Sequence, residues 1–321
     1  MNNVRITAIG IVCAAPGFAA TAQPFPAKPV RFIVGTAAGG GVDTISRIVG
    51  QRLTERWSQQ VVVENRAGAG GAVGSEFVAK SAPDGYTLLT ISIAHAVIPA
   101  SHRNLNYDPV RDLAPVTVLV NAPNVLVVHP SLPAKSVKEL VSLAKSRQAE
   151  IQYASSGNGS PAHLAGELFK LLSGANFVHV PYKGTASAMT DVIGGRVSFT
   201  FGSILSSIPH VKTGKLRLLG ATGSRRAMSL PDTPTIAEAG VAGYAVDVWY
   251  AMLAPSATPR AILSTLNADV ARVLHAPELR QRLADLGLEP VGEGLDASAR
   301  YIDAEIAKWA KVVKAARIAA E

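Results

Sequence analysis

The sequence predicts an α/β fold built as two lobes with a cleft between them. Short apolar runs rich in β-branched residues alternate with segments whose apolar residues recur at helical spacing, a pattern typical of largely parallel sheets covered by helices. The 321-residue chain is too long for one such sheet and long enough for two cores. Two extended stretches, residues 121–123 and 240–245, are the predicted crossings between the lobes.

The individual elements follow from these patterns in chain order. Strands are predicted at residues 30–34, 61–63, 87–91, 125–128, 151–154, 177–180, 197–201, 216–221 and 246–253. Helical spacing links Ile45, Ile48, Val49 and Leu53, then Leu164, Leu168, Leu171 and Leu172, and later Ile262, Leu263, Leu266 and Val270. Lobe 1 is expected to comprise residues 23–122 plus about 246–295 and lobe 2 residues 123–245, with a long helix at 296–321 packing back on the lobes.

The N-terminal segment has the pattern of a secretory signal peptide. Arg5 precedes an apolar stretch at residues 8–20, and Ala20-Thr21-Ala22 offers an A-x-A cleavage site. The stretch is too short to span a bilayer, which requires about 20 apolar residues. We therefore expect residues 1–22 to be removed near Ala22 and the mature protein to reside in the periplasm. A buried N-terminal helix and a lipoprotein anchored at Cys13 are the less favoured alternatives.

Composition excludes several classes of function. Cys13 is the only cysteine, so the mature chain would have no disulfide, no cysteine-ligated zinc and no thiol catalysis. The net charge of +8 is spread without dense Lys/Arg runs or aromatic interleaving, which gives little support to nucleic-acid binding. A mild basic excess suits the attraction of anionic solutes. The sequence predicts a monomer with no cofactor, no metal site and no nucleic-acid partner.

A first glycine-rich turn follows the strand at residues 30–34. Glycines remove side chains, so a ligand can approach the backbone N–H groups closely, and a helix start adds the positive end of its dipole. Asp43 is the predicted N-cap of the following helix. The candidate ligand-binding residues of this turn are Thr36, Ala38, Gly39, Gly40 and Asp43.

A second such turn follows the strand at residues 151–154. Ser160 is a strong N-cap, and Pro161 suits the first helical position because its missing N–H costs nothing there. The candidate ligand-binding residues here are Ser155, Ser156, Gly157, Gly159, Ser160 and His163. Ligands of open α/β sheets bind outside the carboxyl ends of strands, so the two turns are expected to supply an anion with donors from both sides of the cleft.

Other motifs in the sequence support a function less well than these turns do. Residues 68–74 resemble a dinucleotide fingerprint, but their spacing is G-x-G-x-x-x-G and no convincing acidic ribose ligand follows. Neither turn has the Lys-Ser/Thr of a P-loop, and the sequence has no G-x-S-x-G and no H-E-x-x-H. A hydrolytic site assembled in space stays open as an alternative, with Ser160 or Ser203 as nucleophile and His163 or His95 as base.

Several longer motifs resemble one family. Residues 61–71 (VVVENRAGAGG), 79–89 (AKSAPDGYTLL), 180–184 (VPYKG) and 230–235 (LPDTPT) are similar to the signature of the tripartite tricarboxylate transporter substrate-binding proteins, the Bug family. The resemblance covers nearly the whole mature chain in family order. It implies a type II periplasmic-binding-protein fold, a carboxylate held in the interdomain cleft, and delivery of that carboxylate to a membrane permease.

The same resemblance places further residues in the pocket. The loop at residues 92–95 would contribute Ser92, Ala94 and His95, while Thr185 and Ser203 would complete the pocket from lobe 2. Trp249 would form a possible wall of the cleft near the return crossing.

Two positions depart from the family pattern. Family members usually have Pro-Phe or Pro-Tyr where this chain has Gly35-Thr36, which suggests a roomier or more polar pocket wall. They often have an Asp where this chain has Gly202, and that acid could receive the ammonium group of an amino acid. Its absence argues against an amino-acid ligand.

The predicted function is therefore the capture of a mono-, di- or tricarboxylate for a tripartite transporter, without catalysis. A ligand-loaded sensor that docks on a membrane signalling receptor is the first alternative. The sequence does not separate the two roles, because a permease and a receptor would each recognise the closed form of the protein. The cleft hydrolase is the less favoured second alternative.

Overall fold

The computed structural model describes residues 25–102, 104–146 and 151–316. The strands of this part of the chain are β1 (Val30–Val34), β2 (Val61–Asn65), β3 (Thr87–Ser92), β4 (Leu113–Asn121), β5 (Asn124–Val128), β6 (Gln152–Ser155), β7 (Val178–Pro181), β8 (Phe199–Ser203), β9 (Arg217–Ala221), β10 (Trp249–Pro255) and β11 (Glu289–Pro290). The helices are α1 (Gly41–Trp57), α2 (Ala72–Ala79), α3 (Ile98–Ser101), α4 (Val137–Ser146), α5 (Pro161–Ser173), α6 (Thr185–Ile193), α7 (Ile204–Lys212), α8 (Arg260–Leu274), α9 (Pro277–Asp285) and α10 (Leu295–Ala316).

Two mixed sheets form the two lobes. The first has the order β11-β4-β10-β3-β1-β2 and the second the order β7-β6-β8-β5-β9. In the first sheet β1 is parallel to β2 and β3, and β10 is antiparallel to β3 and β4. In the second, β6 is parallel to β7 and β8, while β5 is antiparallel to β8 and β9. The predicted α/β class with two lobes is confirmed.

The chain crosses between the sheets twice, and the two crossings run side by side. β4 ends at Asn121 in the first sheet and β5 begins at Asn124 in the second. The chain returns between Ala221 and Trp249, and the Ala122 N–H donates to the Val248 carbonyl at 2.6 Å. The strand predicted at 246–253 thus begins three residues later, because its first residues belong to the crossing. We call the first sheet with its helices lobe 1 and the second lobe 2.

Sequence patterns did not reveal strands β4 and β11. β4 contains Pro115, and a proline within an apolar run weakens a strand assignment because it cannot donate to the ladder. In the structure Pro115 is paired with Leu253 at a register shift of the β4–β10 ladder, which accommodates the missing donor. β11 has only two residues, too few for any alternation to be visible.

Helix α10 packs against lobe 1 and also contacts α5 of lobe 2. Its Glu305 is buried and accepts hydrogen bonds from the indole N–H groups of Trp249 and Trp309, each at 3.1 Å. Both tryptophans are fully buried, so one carboxylate links the helix to the start of β10. The predicted signal peptide lies outside the described residues. No helix in the described ranges is long and apolar enough to cross a membrane.

Candidate functional site

The topology places the glycine-rich turns at the edges from which the chain crosses. β4 is antiparallel to β10, which is antiparallel to β3, so β3 and β4 run the same way and their carboxyl ends share an edge. In lobe 2, Asn124 at the start of β5 is paired with Ser203 at the end of β8. The turns after β1 and β6 therefore lie at the edge of each sheet that adjoins the crossings, where α/β proteins bind ligands.

The first turn differs from the prediction in the residue that caps its helix. Gly40, in an extended conformation, is the N-cap of α1, and Asp43 lies in the first turn of the helix. Because helical side chains tilt toward the N-terminus, the Asp43 carboxylate reaches back and accepts the Gly39 N–H at 2.9 Å. The prediction that Asp43 is the N-cap is therefore wrong, although its side chain still satisfies a backbone donor of this turn.

Asp43 is buried and fully engaged by neighbouring groups. Arg47 forms a salt bridge with it at 2.9 Å, and the Asn65 side-chain amide donates to it at 3.0 Å. Burial acts to raise the pKa of Asp43, but the hydrogen bonds from Arg47, Gly39 and Asn65 outweigh it and lower the pKa. The carboxylate therefore stays ionised and braces the turn.

A small pocket on lobe 1 brings together four of the predicted residues. Its lining consists of Gly35, Thr36, Gly70, Gly71, Ile91, Ser92, Ala94, His95 and Ile98. Thr36, Ser92, Ala94 and His95 were predicted from the sequence. Ala38, Gly39 and Gly40 are exposed on the turn that follows Thr36. The Ser92 hydroxyl accepts the Ala94 N–H at 3.3 Å and so caps the short turn after β3.

The glycine-rich segment at residues 68–74 contributes to this pocket through its backbone. A Cβ atom on Gly74 would lie 3.0 Å from the Gly35 Cα, so the two loops approach too closely for side chains. Gly70 and Gly71 line the pocket. Sequence reasoning set this segment aside as a failed dinucleotide motif and missed these two residues, although the glycine spacing was the signal that could have revealed them.

At the start of β10, Tyr250 rather than Trp249 lies beside the first turn. Trp249 is fully buried and bonded to Glu305, so its ring lies in the core and not on a cleft wall. Successive strand residues point to opposite faces, and a Cβ atom on Gly41 would lie 2.2 Å from the Tyr250 hydroxyl oxygen. Sequence reasoning missed Tyr250 because two adjacent aromatic residues give no indication of which ring lies beside the turn.

The second turn has the cap that the sequence predicted. Ser160 is the N-cap of α5, its hydroxyl accepts the His163 N–H, and Pro161 occupies the first helical position. The His163 ring is buried, and its Nδ1 accepts the Gly159 N–H at 3.0 Å. The Ser155 hydroxyl accepts the Gly157 N–H at 3.1 Å. Ser155 and His163 therefore brace the turn, whereas Ser156, Gly157, Gly159 and Ser160 are partly exposed.

His179 on β7 joins this cluster and was missed by sequence reasoning. Its Nε2 lies 2.7 Å from the Ser155 hydroxyl, and its ring stacks on that of His163. Burial lowers the pKa of His179 to about 4 and also lowers the pKa of His163. Both rings are neutral at neutral pH. A single histidine in a strand carries no sequence signal of such a contact.

Thr185 and Ser203 begin two further helices of lobe 2. Thr185 is the exposed first residue of α6, whose N-cap Gly184 provides no side-chain hydrogen bond. Ser203 is the N-cap of α7, and its hydroxyl accepts the Ser206 N–H at 3.2 Å. At Gly202, just before it, a Cβ atom would lie 2.3 Å from the Ser207 hydroxyl. An acidic side chain does not fit there without rearrangement.

Comparisons with known proteins confirm the resemblance. The model of a family described as "Tripartite tricarboxylate transporter family receptor" matches residues 45–318. Protein BugT of Bordetella pertussis is 37% identical over 319 residues, which cover 98% of each chain.

Two solved structures are similar over almost their whole length. One is described as R. palustris Rpa4515 with adipate (39% identity, TM-score 0.84, covering 92% of this chain and 99% of that one). The other is described as MatC from Rhodopseudomonas palustris with bound malate (32% identity, TM-score 0.80, 90% and 100% coverage). The chain belongs to the tripartite tricarboxylate transporter receptor family, whose members are periplasmic solute-binding proteins.

Proposed function

We propose that this protein captures a small dicarboxylate between its lobes and presents it to the membrane permease of a tripartite transporter. The observation that carries the proposal is the position of the two glycine-rich turns, each at the sheet edge beside the crossings and each leading into a helix start. Backbone N–H groups at helix starts attract anions through their own partial charge and through the helix dipole.

The helix starts differ in how many of their donors remain for a ligand. α5 and α7 are capped by their own serines, Ser160 and Ser203. α1 and α6 have glycine N-caps and no side-chain cap. We therefore assign the main carboxylate contacts to the N–H groups that open α1 in lobe 1 and α6 in lobe 2. The braced turn at Ser155–Ser160 would then shape the pocket and supply hydroxyl contacts.

The relatives narrow the ligand class. Adipate and malate, named for the two similar structures, are both dicarboxylates, and two separate donor sets suit a ligand with two carboxylates. A micromolar complex requires about −8 kcal/mol. Charge-assisted hydrogen bonds contribute roughly 1.5–3 kcal/mol each, so a few from each helix start meet this requirement without an arginine clamp.

The remaining parts of the proposal concern location and partners. We place the mature protein in the periplasm as a monomer that binds ligand without transforming it. One feature argues against a hydrolytic site that uses His163 as its base. The His163 Nδ1 already accepts the Gly159 N–H. In the described part of the chain, no group of three or more His, Cys, Asp or Glu residues is arranged to hold a metal ion.

A matched pair of variants tests the location of the site. Gly40 and Gly294 each directly precede a helix, neither has a positive φ, and a Cβ atom meets nothing closer than 3.5 Å at Gly40 and nothing within 4 Å at Gly294. Calorimetry with succinate, malate and adipate should show at least tenfold weaker binding for Gly40→Val and unchanged binding for Gly294→Val. Parent-like affinity of Gly40→Val for every acid that binds would place the carboxylate elsewhere.

A transport assay tests whether the protein delivers its ligand to the permease. The purified protein, loaded with a dicarboxylate that it binds, should stimulate uptake into vesicles containing the tripartite permease from the same genome. Absence of stimulation by a tightly binding acid would favour a role as a sensor.

A further inference from the structure

The two glycine-rich turns share one hydrogen-bonding arrangement. In each turn, the side chain of the third helical residue accepts the N–H of the glycine that lies two positions before the helix. Asp43 of α1 accepts from Gly39 at 2.9 Å, and His163 of α5 accepts from Gly159 at 3.0 Å. Both glycines have a positive φ, 80° for Gly39 and 70° for Gly159. The arrangement is similar to a capping box, in which a side chain of the first helical turn accepts a backbone N–H just before the helix.

The Gly159 contact determines which nitrogen of His163 carries the proton. A backbone N–H can only donate, so Nδ1 must present a lone pair and the proton of the neutral ring lies on Nε2. Burial supports this state, because it lowers the pKa of His163. The His179 ring that stacks on it is neutral as well, since burial lowers its pKa to about 4. The acceptor that holds the lobe-2 turn is therefore uncharged.

The equivalent acceptor in lobe 1 is charged, but a cation compensates for it. Arg47, one helical turn after Asp43, forms a salt bridge with it at 2.9 Å. The corresponding position on α5, four residues after His163, is Glu167, which is paired with Lys170 at 3.0 Å. A carboxylate in place of His163 would therefore have another carboxylate one turn away where Asp43 has an arginine. A neutral acceptor suits this turn, and an ionised one does not.

The lobe-2 turn lies beside the helix start to which we assign a ligand carboxylate. β6 and β7 are parallel neighbours, and the Tyr182 N–H donates to the Ser155 carbonyl at 3.0 Å. A Cβ atom on Gly157 would lie 3.5 Å from the Tyr182 carbonyl oxygen. Two residues later Gly184 is the N-cap of α6. A negative charge on the turn would thus act against a carboxylate bound at α6.

We propose that His163 is a positioning residue for the ligand, which fixes the lobe-2 turn through the Gly159 N–H without placing a negative charge beside the bound carboxylate. The ring is buried, so it acts through the backbone of the turn. This inference rests on the proposed function and deepens it, because it names the residue that holds the turn and gives the reason for its neutrality.

Three substitutions separate the acceptor from the charge, in calorimetry with succinate, malate and adipate at pH 7.5. His163→Asn keeps a neutral acceptor near the place of Nδ1 and should bind within about threefold of the parent. His163→Leu leaves the Gly159 N–H unpaired and should weaken binding by about tenfold. His163→Asp keeps the acceptor but adds a charge, and should bind at least about tenfold more weakly than His163→Asn. A purely structural role predicts the opposite, because an acid near a helix start stabilises the helix.

Two further measurements complete the design. His275→Asp places the same charge at an exposed position of lobe 1 and should leave binding unchanged, while thermal melting checks that each variant is folded. Nitrogen NMR of the parent requires no variant to fold. The Nδ1 of His163 should have the chemical shift of an unprotonated nitrogen, and a coupling across the hydrogen bond should join it to the Gly159 nitrogen.

The outcomes are distinguishable. If none of the three acids binds to the parent, the proposed function fails and this inference fails with it. If acids bind but the Nδ1 of His163 carries a proton, only this inference is overturned. Parent-like affinity of His163→Leu, or equal affinities of His163→Asp and His163→Asn, would likewise overturn it and leave the proposed function standing.

Discussion

The imidazole rings of His163 and His179 stack in lobe 2 with their centroids 4.1 Å apart and their planes inclined by 15°. His179 also stacks on Tyr153 at 4.9 Å. Burial lowers the pKa of both histidines, and the positive charge that His163 would carry lowers that of His179 further. Glu167 and Lys170 of α5 also act on both rings, with opposite signs. The pair therefore favours two neutral rings at neutral pH.

Acid is expected to destabilise the protein through this pair. In the unfolded chain histidine titrates near 6.5, whereas His179 titrates at about 4 in the folded protein. The unfolded state therefore binds more protons between these values. Stability is fully present above about pH 6.5 and is lost as pH falls toward 4, by up to about 1.4 kcal/mol per pH unit for each proton. Urea unfolding at pH 7.5, 6.0 and 5.0 measures this loss.

Two variants assign the pH dependence to the pair. His179→Phe should make the decline between pH 6.5 and 4 shallower, since it keeps a ring in the stack and removes one titrating group. Part of the decline should remain, because burial also lowers the pKa of His163 and lowers that of His95 to about 4. His275→Gln, at an exposed position, should leave the decline unchanged. A slope in His179→Phe equal to that of the parent would show that other groups dominate.

Acidic amino acids are expected to bind at least tenfold more weakly than the matching dicarboxylates. An ammonium group needs an acceptor, and Gly202 at the end of β8 has no side chain that could provide one. The carboxylate of Asp43, in the first turn of α1, is already occupied by Gly39, Arg47 and Asn65. Competition calorimetry of aspartate against succinate and of glutamate against glutarate checks this. Equal or tighter binding of either amino acid would contradict it.

Tyr250→Phe is expected to weaken dicarboxylate binding by about two- to tenfold, the effect of one lost hydrogen bond. The Tyr250 hydroxyl lies beside Gly41 at the start of α1 and has no hydrogen-bond partner in the described part of the chain. Burial raises the pKa of Tyr250 to about 12, so it acts as a neutral donor. Tyr301→Phe on α10 serves as the control. Unchanged affinity in Tyr250→Phe would show that the Tyr250 hydroxyl does not contact the ligand.

Glu289→Ala is expected to favour separation of the lobes. Glu289 of lobe 1 accepts from the Arg225 guanidinium and the Met228 N–H of lobe 2, at 2.7 and 2.9 Å. Its side chain is 12% exposed while that of Arg225 is 64% exposed, so the ion pair itself contributes only about 0–1 kcal/mol. Small-angle scattering of the unliganded protein should show a larger radius of gyration.

Glu238→Ala provides the matched control for that measurement, because it breaks an ion pair with Arg226 that lies within lobe 2. An identical radius of gyration in Glu289→Ala and the parent would mean that these contacts do not hold the lobes together.

The sequence determined the fold class and the existence of the two glycine-rich helix starts. β-branched runs located nine strands, and the Ser160-Pro161 pair fixed the start of α5, because these signals depend on neighbouring residues alone. Recognition of the family also rested on short contiguous motifs. In contrast, Pro115 concealed β4, since only its partners in the sheet compensate for the missing donor.

Tertiary structure decided which side chains face the site and which N–H groups are already occupied. It placed Trp249 in the core and Tyr250 beside α1, paired His163 with His179 from a different element, and directed Asp43 back onto Gly39. Each of these contacts joins residues through the packing of two elements or the curvature of one turn. Sequence periodicity reports which residues are apolar, but the distances that determine hydrogen bonding arise only when the lobes are assembled.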